Sequence, residues 1–298
     1  MNALRDIRYS PRFLLFYGAV VVGALAAMAL GFSSRGTPLP IALAVALAAL
    51  VFAESGLVNM PSGGTATASE VVALPALLIL GAFHASALNI ASLLILQGVR
   101  MRRPLVKVGF NAASDTLTNF AAWGVWRLLE GGGAPSFAYH VVPIAATGLT
   151  LFAVNSVSVS AVIAFARGPG IGRVWQRNFQ NSLAHHLSFV ALGVLVTVTY
   201  RAIGPWALVL CAPPFLVARQ SFRLYIEIRS DLKEFVRALS EVLEEVDPYT
   251  RHHSVRVAQY AVQLARGMGV SEAEIEEIEY AALVHDLGKI GPQHQHIL

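Results

Sequence analysis

The chain has 298 residues, of which 55% are apolar and only 13% are charged. A soluble globular protein usually carries about 25% charged residues, so this composition excludes a soluble globular protein for the chain as a whole. Residues 1–219 hold 14 basic and 5 acidic residues, a balance of +9, whereas residues 220–298 hold 8 and 13, a balance of −5. The basic residues lie between apolar runs and not in one solvated patch, which argues against a nucleic-acid polymer as a partner.

Apolar runs long enough to cross a lipid bilayer fill residues 1–219. Three arginines precede the first run, 13–32, which at about 20 residues matches the thickness of a hydrocarbon core and exceeds the apolar region of a signal peptide. We therefore expect a retained membrane helix there. Further apolar runs follow at 39–58, 70–99, 108–129, 137–166, 183–203 and 205–219.

The run 70–99 is too long for a single crossing, because its 30 residues would make a helix of about 45 Å against a hydrocarbon core of about 30 Å. The densest basic loop, 100–107, should lie on the same side as Arg5–Arg12 by the positive-inside rule. That requires an even number of crossings, which is met if 70–99 folds as two short segments near Gly81–His84. The sequence thus predicts an all-α polytopic membrane bundle of about eight segments in the inner membrane, with both termini cytoplasmic.

One predicted membrane helix carries a polar stripe, because Asn111, Asp115 and Asn119 recur every four residues. Polar groups inside a bilayer cost free energy unless they are paired. The stripe is open to two interpretations: a ligand or ion pocket suited to a sensor, with Asp115 as the best candidate, or hydrogen bonds that hold the helices together.

Residues 220–246 have the pattern of a coupling helix. Apolar residues recur there with spacings of 4, 3, 4, 3 and 4, the repeat of a coiled-coil seam. The seam consists of Ile228, Leu232, Phe235, Leu239, Val242 and Val246. The pattern fits either a short parallel homodimer through 224–246, which we favour slightly, or a single amphipathic helix that packs on the next domain.

Two further helices follow from Asp247 onwards. On the second, one apolar face consists of Ile275, Ile278, Ala282 and His285. We therefore expect His285 to point inward, with Asp286 at the helix end, and His253 to lie near the start of the preceding helix. Neutral imidazoles and a carboxylate suit iron, manganese or zinc, and a bound ion can generate hydroxide near neutral pH. The register that would bring the three side chains together is not fixed by the sequence.

The strings DPYTRHHSVRV at 247–257 and AALVHDLGKIG at 281–291 together resemble the opening of an HD-GYP domain. This family is a branch of the HD phosphohydrolases that hydrolyses cyclic di-GMP at a centre of two or three metal ions. The resemblance implies a metal-dependent phosphodiesterase in which iron or manganese ions are the cofactors and cyclic di-GMP is the substrate.

The resemblance also implies roles for individual residues. His253, His285 and Asp286 match metal ligands, and Asp286 matches the carboxylate that bridges two ions. Lys289 matches a lysine near the substrate phosphate, where its charge would stabilise developing negative charge. Asp286 and Lys289 are thus the expected catalytic residues.

The resemblance covers residues 247–298 and not the later ligands or the Gly-Tyr-Pro segment of the family. We therefore expect a fragment of a longer enzyme, inactive as given, in which Ile275 and Ile278 stay uncovered. The predicted domains are a sensor bundle at 1–219, a coupling helix at 220–246 and a partial HD-GYP domain at 247–298. The leading hypothesis is a membrane-anchored signalling phosphodiesterase. The alternatives are a non-catalytic membrane receptor or dimerisation module, an HD hydrolase acting on another nucleotide, or a small-solute transporter.

Overall fold

The computed structural model describes residues 10–33, 36, 38, 40–55, 58–59, 65–66, 69–130, 137–168, 170–179, 183–244, 253–270 and 272–286. Almost all of them are helical, which confirms the predicted all-α class. The helices are α1 (Pro11–Ser33), α2 (Pro40–Ser55), α3 (Glu70–Leu93), α4 (Leu105–Leu129), α5 (Phe137–Arg167), α6 (Ile171–Phe179), α7 (Leu183–Ile203), α8 (Trp206–Glu244), α9 (His253–Met268) and α10 (Glu272–Val284).

Two short features interrupt this helical pattern. A π-helical turn, Leu94–Arg100, continues α3. Between α2 and α3, strands β1 (Val58–Asn59) and β2 (Thr65–Ala66) pair antiparallel, with Val58 opposite Ala66. Two residues per strand are too few to define a sheet layer, so the pair only closes the connection between two helices.

The described residues divide into two compact units between Gln220 and Ser221. The residues up to Gln220 form the bundle unit, and those from Ser221 onwards form the C-terminal unit. Helix α8 contributes its first part to the bundle unit and its second part to the C-terminal unit.

The bundle unit contains helices suited to a membrane. Among the described residues, three segments are long and apolar enough to cross a bilayer: Pro11–Ser33, Glu70–Arg100 and Val141–Ala166. The apolar helices Pro40–Ser55 and Leu187–Ile203 are shorter. Large apolar side chains point outward on several of these helices, a surface that a soluble monomer rarely presents. They include Leu15, Val22, Leu25, Leu30, Ile41 and Val142. The number of crossings stays a prediction.

Helix α3 breaks at Gly81, within the stretch where the sequence predicts a break. Gly81 has φ 80° and ψ 164°, a backbone conformation that is essentially restricted to glycine. The two ends of the segment return to one place, because Glu70 and Ala73 line the same cavity as Asn89 and Leu93. In a straight helix Glu70 and Leu93 would lie about 34 Å apart.

The core of the bundle unit forms where α3, α4 and α5 meet. The cluster consists of Leu74, Leu77, Leu78, Ala82, Ala85, Ala122, Trp126, Ile144 and Leu151. Helices α5 and α7 approach closely at Gly148, where an added Cβ would lie 2.7 Å from Val190 Cγ1. Small residues permit such close contacts between membrane helices, which associate mainly through van der Waals packing.

The conformation of Gly81 leads to a first prediction. Gly81→Ala should destabilise the bundle by about 1–3 kcal/mol, because an alanine is strained at this φ and ψ. The matched control is Gly124→Ala in α4, since an added Cβ meets open space at both positions and Gly124 has an ordinary helical backbone. Alanine at Gly124 should stabilise its helix by about 0.5–1 kcal/mol. Thermal unfolding of the purified protein in detergent measures both, and a midpoint raised by Gly81→Ala would contradict the strained backbone.

Candidate metal centre

An antiparallel pair of helices, α9 and α10, forms the centre of the C-terminal unit. Near the turn between them, Val262 and Ala265 pack on Ile275. At the other end, Ala258 packs on Ala282 and Leu283. This arrangement places the start of α9 beside the end of α10. The apolar stripes that the sequence shows at helical spacing therefore face each other.

The turn ends α9 in a way that its glycine explains. Gly269 has φ 78°, and Val270 N donates to the carbonyl of Ala265 over 3.1 Å. A left-handed residue after the last helical turn, with a hydrogen bond back into the helix, is the usual glycine C-cap. The chain reverses within a few residues, which keeps the helix pair short and in register.

The helix pair brings the three predicted metal ligands together. His253 is the first residue of α9, and His285 and Asp286 directly follow the last residue of α10. Their ligand atoms all lie within 4.8 Å of one another, and the two imidazole rings are 5.5 Å apart. The register left open by the sequence is thus the one that joins the three side chains in a single cluster.

Hydrogen bonding orients the imidazole of His285. Its Nδ1 lies 2.9 Å from the carbonyl oxygen of Ala282. A carbonyl only accepts, so this contact is a hydrogen bond when Nδ1 carries the hydrogen, and the neutral ring then has its lone pair on Nε2. Nε2 lies 3.2 Å from Oδ1 of Asp286, so an ion between these two atoms would bind both. Donation from the other ring nitrogen to a backbone carbonyl is the usual support for a metal-binding histidine.

Two expectations about burial were wrong. His285 does not point inward, since 37% of its side chain is exposed. Helix α10 ends at Val284, so the helical periodicity that predicted an inward face no longer applies one residue later. Ile275 is not uncovered either, because it is buried against Val262, Ala265 and Val270. Lys289 lies outside the described residues.

Helix α8 supports the helix pair through residues that the sequence analysis did not single out. Within the C-terminal unit, Lys233 Nζ lies 2.6 Å from Oε2 of Glu279 on α10, and Arg237 lies 3.9 Å from the same carboxylate. Val236, which lies between Lys233 and Arg237 in the sequence, packs on the cluster of Ala258, Ala282 and Leu283. The heptad pattern in the sequence identifies only the seam that contains Ile228 and Phe235. The helical spacing of Lys233, Val236 and Arg237 is also present in the sequence and would have indicated this second side of α8.

The polar stripe of α4 divides between the two interpretations given above. Asn111 donates to Oε1 of Gln97 over 2.9 Å, and Asn119 donates to Oγ of Ser86 over 3.3 Å. These two residues are therefore interhelical hydrogen-bond donors. Asp115 lines the cavity inside the bundle, and Asn119 lines it as well.

Comparison with known proteins assigns a class to the C-terminal part of the chain. Residues 250–297 match the family model of the HD domain. This stretch contains the whole cluster of His253, His285 and Asp286, and the HD domain family is metal-dependent. The C-terminal part is therefore of the HD type.

The curated relatives are phosphodiesterases. The chain is 35% identical over 77 residues to the cyclic di-GMP phosphodiesterase of Thermotoga maritima, which is 26% of this chain and 21% of that protein. It is 40% identical over 60 residues to the 3'3'-cGAMP-specific phosphodiesterase 3 of Vibrio cholerae, or 20% and 13% of the two chains. It is 34% identical over 71 residues to the 3'3'-cGAMP-specific phosphodiesterase 2 of Vibrio cholerae, which is 24% of this chain and 14% of that protein.

These similarities cover a limited region. The chain spans about a fifth or less of the length of the curated relatives it matches. No solved structure matches it. An HD-type phosphodiesterase is thus the class that the comparisons support, and they support it through the C-terminal part.

The packing below the cluster leads to a second prediction. Leu283 is only 2% exposed, so Leu283→Ala should cost about 2–5 kcal/mol in the C-terminal unit. The matched control is Leu264→Ala on α9, where the side chain is 68% exposed and the cost should stay within about 0.5 kcal/mol. Hydrogen exchange of the α9 and α10 amides, followed by mass spectrometry, measures both. Equal protection in the two variants would contradict the described core.

Proposed function

We propose that the protein is a membrane-anchored, metal-dependent phosphodiesterase of the HD-GYP type that hydrolyses a cyclic dinucleotide, with cyclic di-GMP as the first candidate. The single observation that carries the proposal is the convergence of His253, His285 and Asp286, whose ligand atoms lie within 4.8 Å of one another. His285 and Asp286 are adjacent in the chain, and His253 lies about 30 positions earlier. The fold of one helix pair brings the three residues together.

The donor set fits a divalent transition metal. Two imidazoles and one carboxylate suit iron, manganese or zinc, and zinc binds such ligands at about 2.0–2.2 Å. Two ligands of one ion are then at most about 4.4 Å apart, so the cluster needs only a small adjustment to close on an ion. The end of α10 adds a favourable field, because the carboxyl end of a helix carries partial negative charge.

Each of the three residues then has a defined part. His253 and His285 would hold the ion through ring nitrogens, and the Ala282 carbonyl keeps Nε2 of His285 available for this. Asp286 would hold the same ion and bridge to a second one. A bound ion of this kind supplies a hydroxide nucleophile near neutral pH and neutralises charge on the phosphate. Lys289 would add a positive charge at that phosphate.

The substrate class follows from the relatives. Their names give cyclic di-GMP in one case and 3'3'-cGAMP in the others. Both compounds are cyclic dinucleotides, so we propose the same class here. The two substrates differ in one base.

The metal cluster leads to a third prediction. His285→Ala should weaken Mn²⁺ binding by more than about 100-fold, because it removes one of three protein ligands. His84→Ala is the matched control, since His84 lies on α3 in the bundle unit and belongs to no described cluster of metal ligands. Electron paramagnetic resonance of free Mn²⁺ measures binding to the purified 298-residue protein. Equal Mn²⁺ affinity in the wild type and in His285→Ala would contradict the proposed metal centre.

Hydrolysis is measured separately. Cyclic di-GMP and 3'3'-cGAMP are each incubated with the Fe²⁺- or Mn²⁺-loaded protein, both as the 298-residue chain and as the product of the complete reading frame that contains it. Linear dinucleotide or mononucleotide products are expected from the latter and should be lost in Asp286→Ala. If neither protein cleaves either compound, or if only another nucleotide is cleaved, the proposed substrate class is wrong.

The bundle unit would anchor the enzyme in the inner membrane, with the C-terminal unit in the cytoplasm. Three described segments have the length and hydropathy of membrane helices, and their outward apolar side chains suit contact with lipid. The basic loop at Arg100–Arg103 supports this orientation by the positive-inside rule. The cytoplasm is also where a nucleotide signal would be met.

We further propose a parallel homodimer through 224–246, of which α8 contributes the described residues up to Glu244. Val246 of the seam lies outside the described residues. The apolar seam stays exposed within the single chain: Ile228 and Phe235 are both 64% exposed. Val236 and Lys233, on another side of the helix, contact the helix pair of the same unit. One copy of α8 can therefore pack on its own C-terminal unit and still offer the seam to a second copy. Both arrangements that the sequence leaves open are compatible with this helix.

The exposed seam leads to a fourth prediction. In a Cys211→Ser background, Leu232→Cys should form a disulfide between two copies on mild oxidation, because equivalent core positions of a parallel coiled coil lie opposite each other. Glu234→Cys, two residues away and off the seam, is the matched control and should crosslink far less. Non-reducing gel electrophoresis of membranes measures the dimer. Monomer in both variants would contradict the homodimer.

A further inference from the structure

A cavity of about 70 Å³ lies inside the bundle unit, among α2, α3, α4 and α5. Its size exceeds what a single water molecule requires. The polar lining includes Glu54, Glu70, Asn89, Asp115, Asn119 and Asn155. The metal centre of the C-terminal unit is not involved, so this cavity needs an explanation of its own.

Several carboxylates contribute to the described part of the lining. Glu54, Glu70 and Asp115 all contribute, and Glu54 and Glu70 lie close enough to Asp115 to act on it electrostatically. None of the described residues that line the cavity is a lysine, an arginine or a histidine. Ionisable side chains inside a membrane bundle are costly and are typically paired or functional.

The carboxylates differ in how their oxygens are used. Glu54 is buried and accepts hydrogen bonds from Oγ of Ser92 over 2.6 Å and from Nε2 of Gln97 over 3.2 Å. Gln97 lies in the π-helical turn after α3, a local distortion that often marks a functional position. Asp115 accepts no hydrogen bond from any described residue, so its carboxylate has room for a donor from outside the protein.

A second, independent feature points to a ligand. Thr118 lies one turn after Asp115 and is only 4% exposed, and it lines the same cavity. Its hydroxyl finds no hydrogen-bond partner among the described residues. A buried hydroxyl normally bonds to something, if only to the carbonyl one turn back in its own helix, and leaving it unpaired costs free energy. A donor or acceptor within the cavity would satisfy it.

We infer that the cavity is a binding site for a small organic cation with N–H donors, such as a primary amine. The carboxylates supply the opposite charge, and Thr118 and the lining asparagines supply further polar groups. Leu50, Leu93 and Leu151 provide apolar walls for a short carbon chain. A bare metal ion fits less well, since the only described group of three close metal ligands is the one in the C-terminal unit.

The test is direct binding to the full chain in lipid nanodiscs, by calorimetry at fixed pH and ionic strength. Methylammonium and putrescine are the probes. Tetramethylammonium, which has the charge but no N–H, and Mg²⁺ and Na⁺ are the comparison ions. We expect the two amines to bind, Asp115→Asn to weaken them by about tenfold or more, and Thr118→Val by about five- to tenfold.

The matched control is Ser114→Ala. Ser114 lies on the same helix, and its hydroxyl is also buried without a described partner, but it does not line the cavity. Amine affinity should be unchanged in this variant. Thermal unfolding without ligand shows that each variant folds, and Thr118→Val still decides the matter if Asp115→Asn does not fold. Binding of Mg²⁺ or Na⁺ only, equal affinity for tetramethylammonium, no binding by the wild type, or equal loss in Ser114→Ala would each overturn the inference.

Discussion

The backbone reversal at Gly81 determines where the polar groups of the bundle lie. Only glycine tolerates φ 80° with ψ 164° at low cost, and this one residue returns the end of α3 to the level of its start. Glu70 and Asn89 therefore face one cavity, which Glu54 and Asp115 complete from α2 and α4. Without the reversal these groups would be distributed along the bundle, and each would require its own partner in an apolar environment.

The sequence predicts the reversal but not its consequence. The length of 70–99 and the distribution of basic residues are enough to require a break, because both depend on the thickness of a bilayer. The partner of each polar residue depends on the rotation of every helix about its axis. Asn111, Asp115 and Asn119 have the same periodicity, yet Asn111 and Asn119 donate to neighbouring helices, while Asp115 and Asn119 line a cavity. Periodicity identifies a face of a helix and not the neighbour of that face.

For the cluster of His253, His285 and Asp286, too, the sequence predicts the residues but not their surroundings. The paired sequence strings name His253, His285 and Asp286 as ligands through a family resemblance, and the short turn at Gly269 makes the antiparallel pair that brings the three side chains together. The exposure of His285 was not predictable, since it depends on the residue at which α10 ends. Nor was the support from Val236, because α8 has two apolar sides and the heptad pattern accounts for only one.

These two sides of α8 would connect the proposed homodimer with the proposed metal ligands. Val236 packs on the cluster of Ala258, Ala282 and Leu283, and His285 follows two residues after Leu283. The carbonyl of Ala282 also contacts the His285 ring, so a residue of the cluster on which α8 packs helps to orient a proposed metal ligand. A rotation of α8 that improved packing at the seam would change the position of Val236 on the same helix. Since a packed core resists partial displacement, such a rotation would shift Ala282 and reorient His285. In the proposed homodimer, the geometry of the proposed ligands would thus depend on how α8 pairs with its copy.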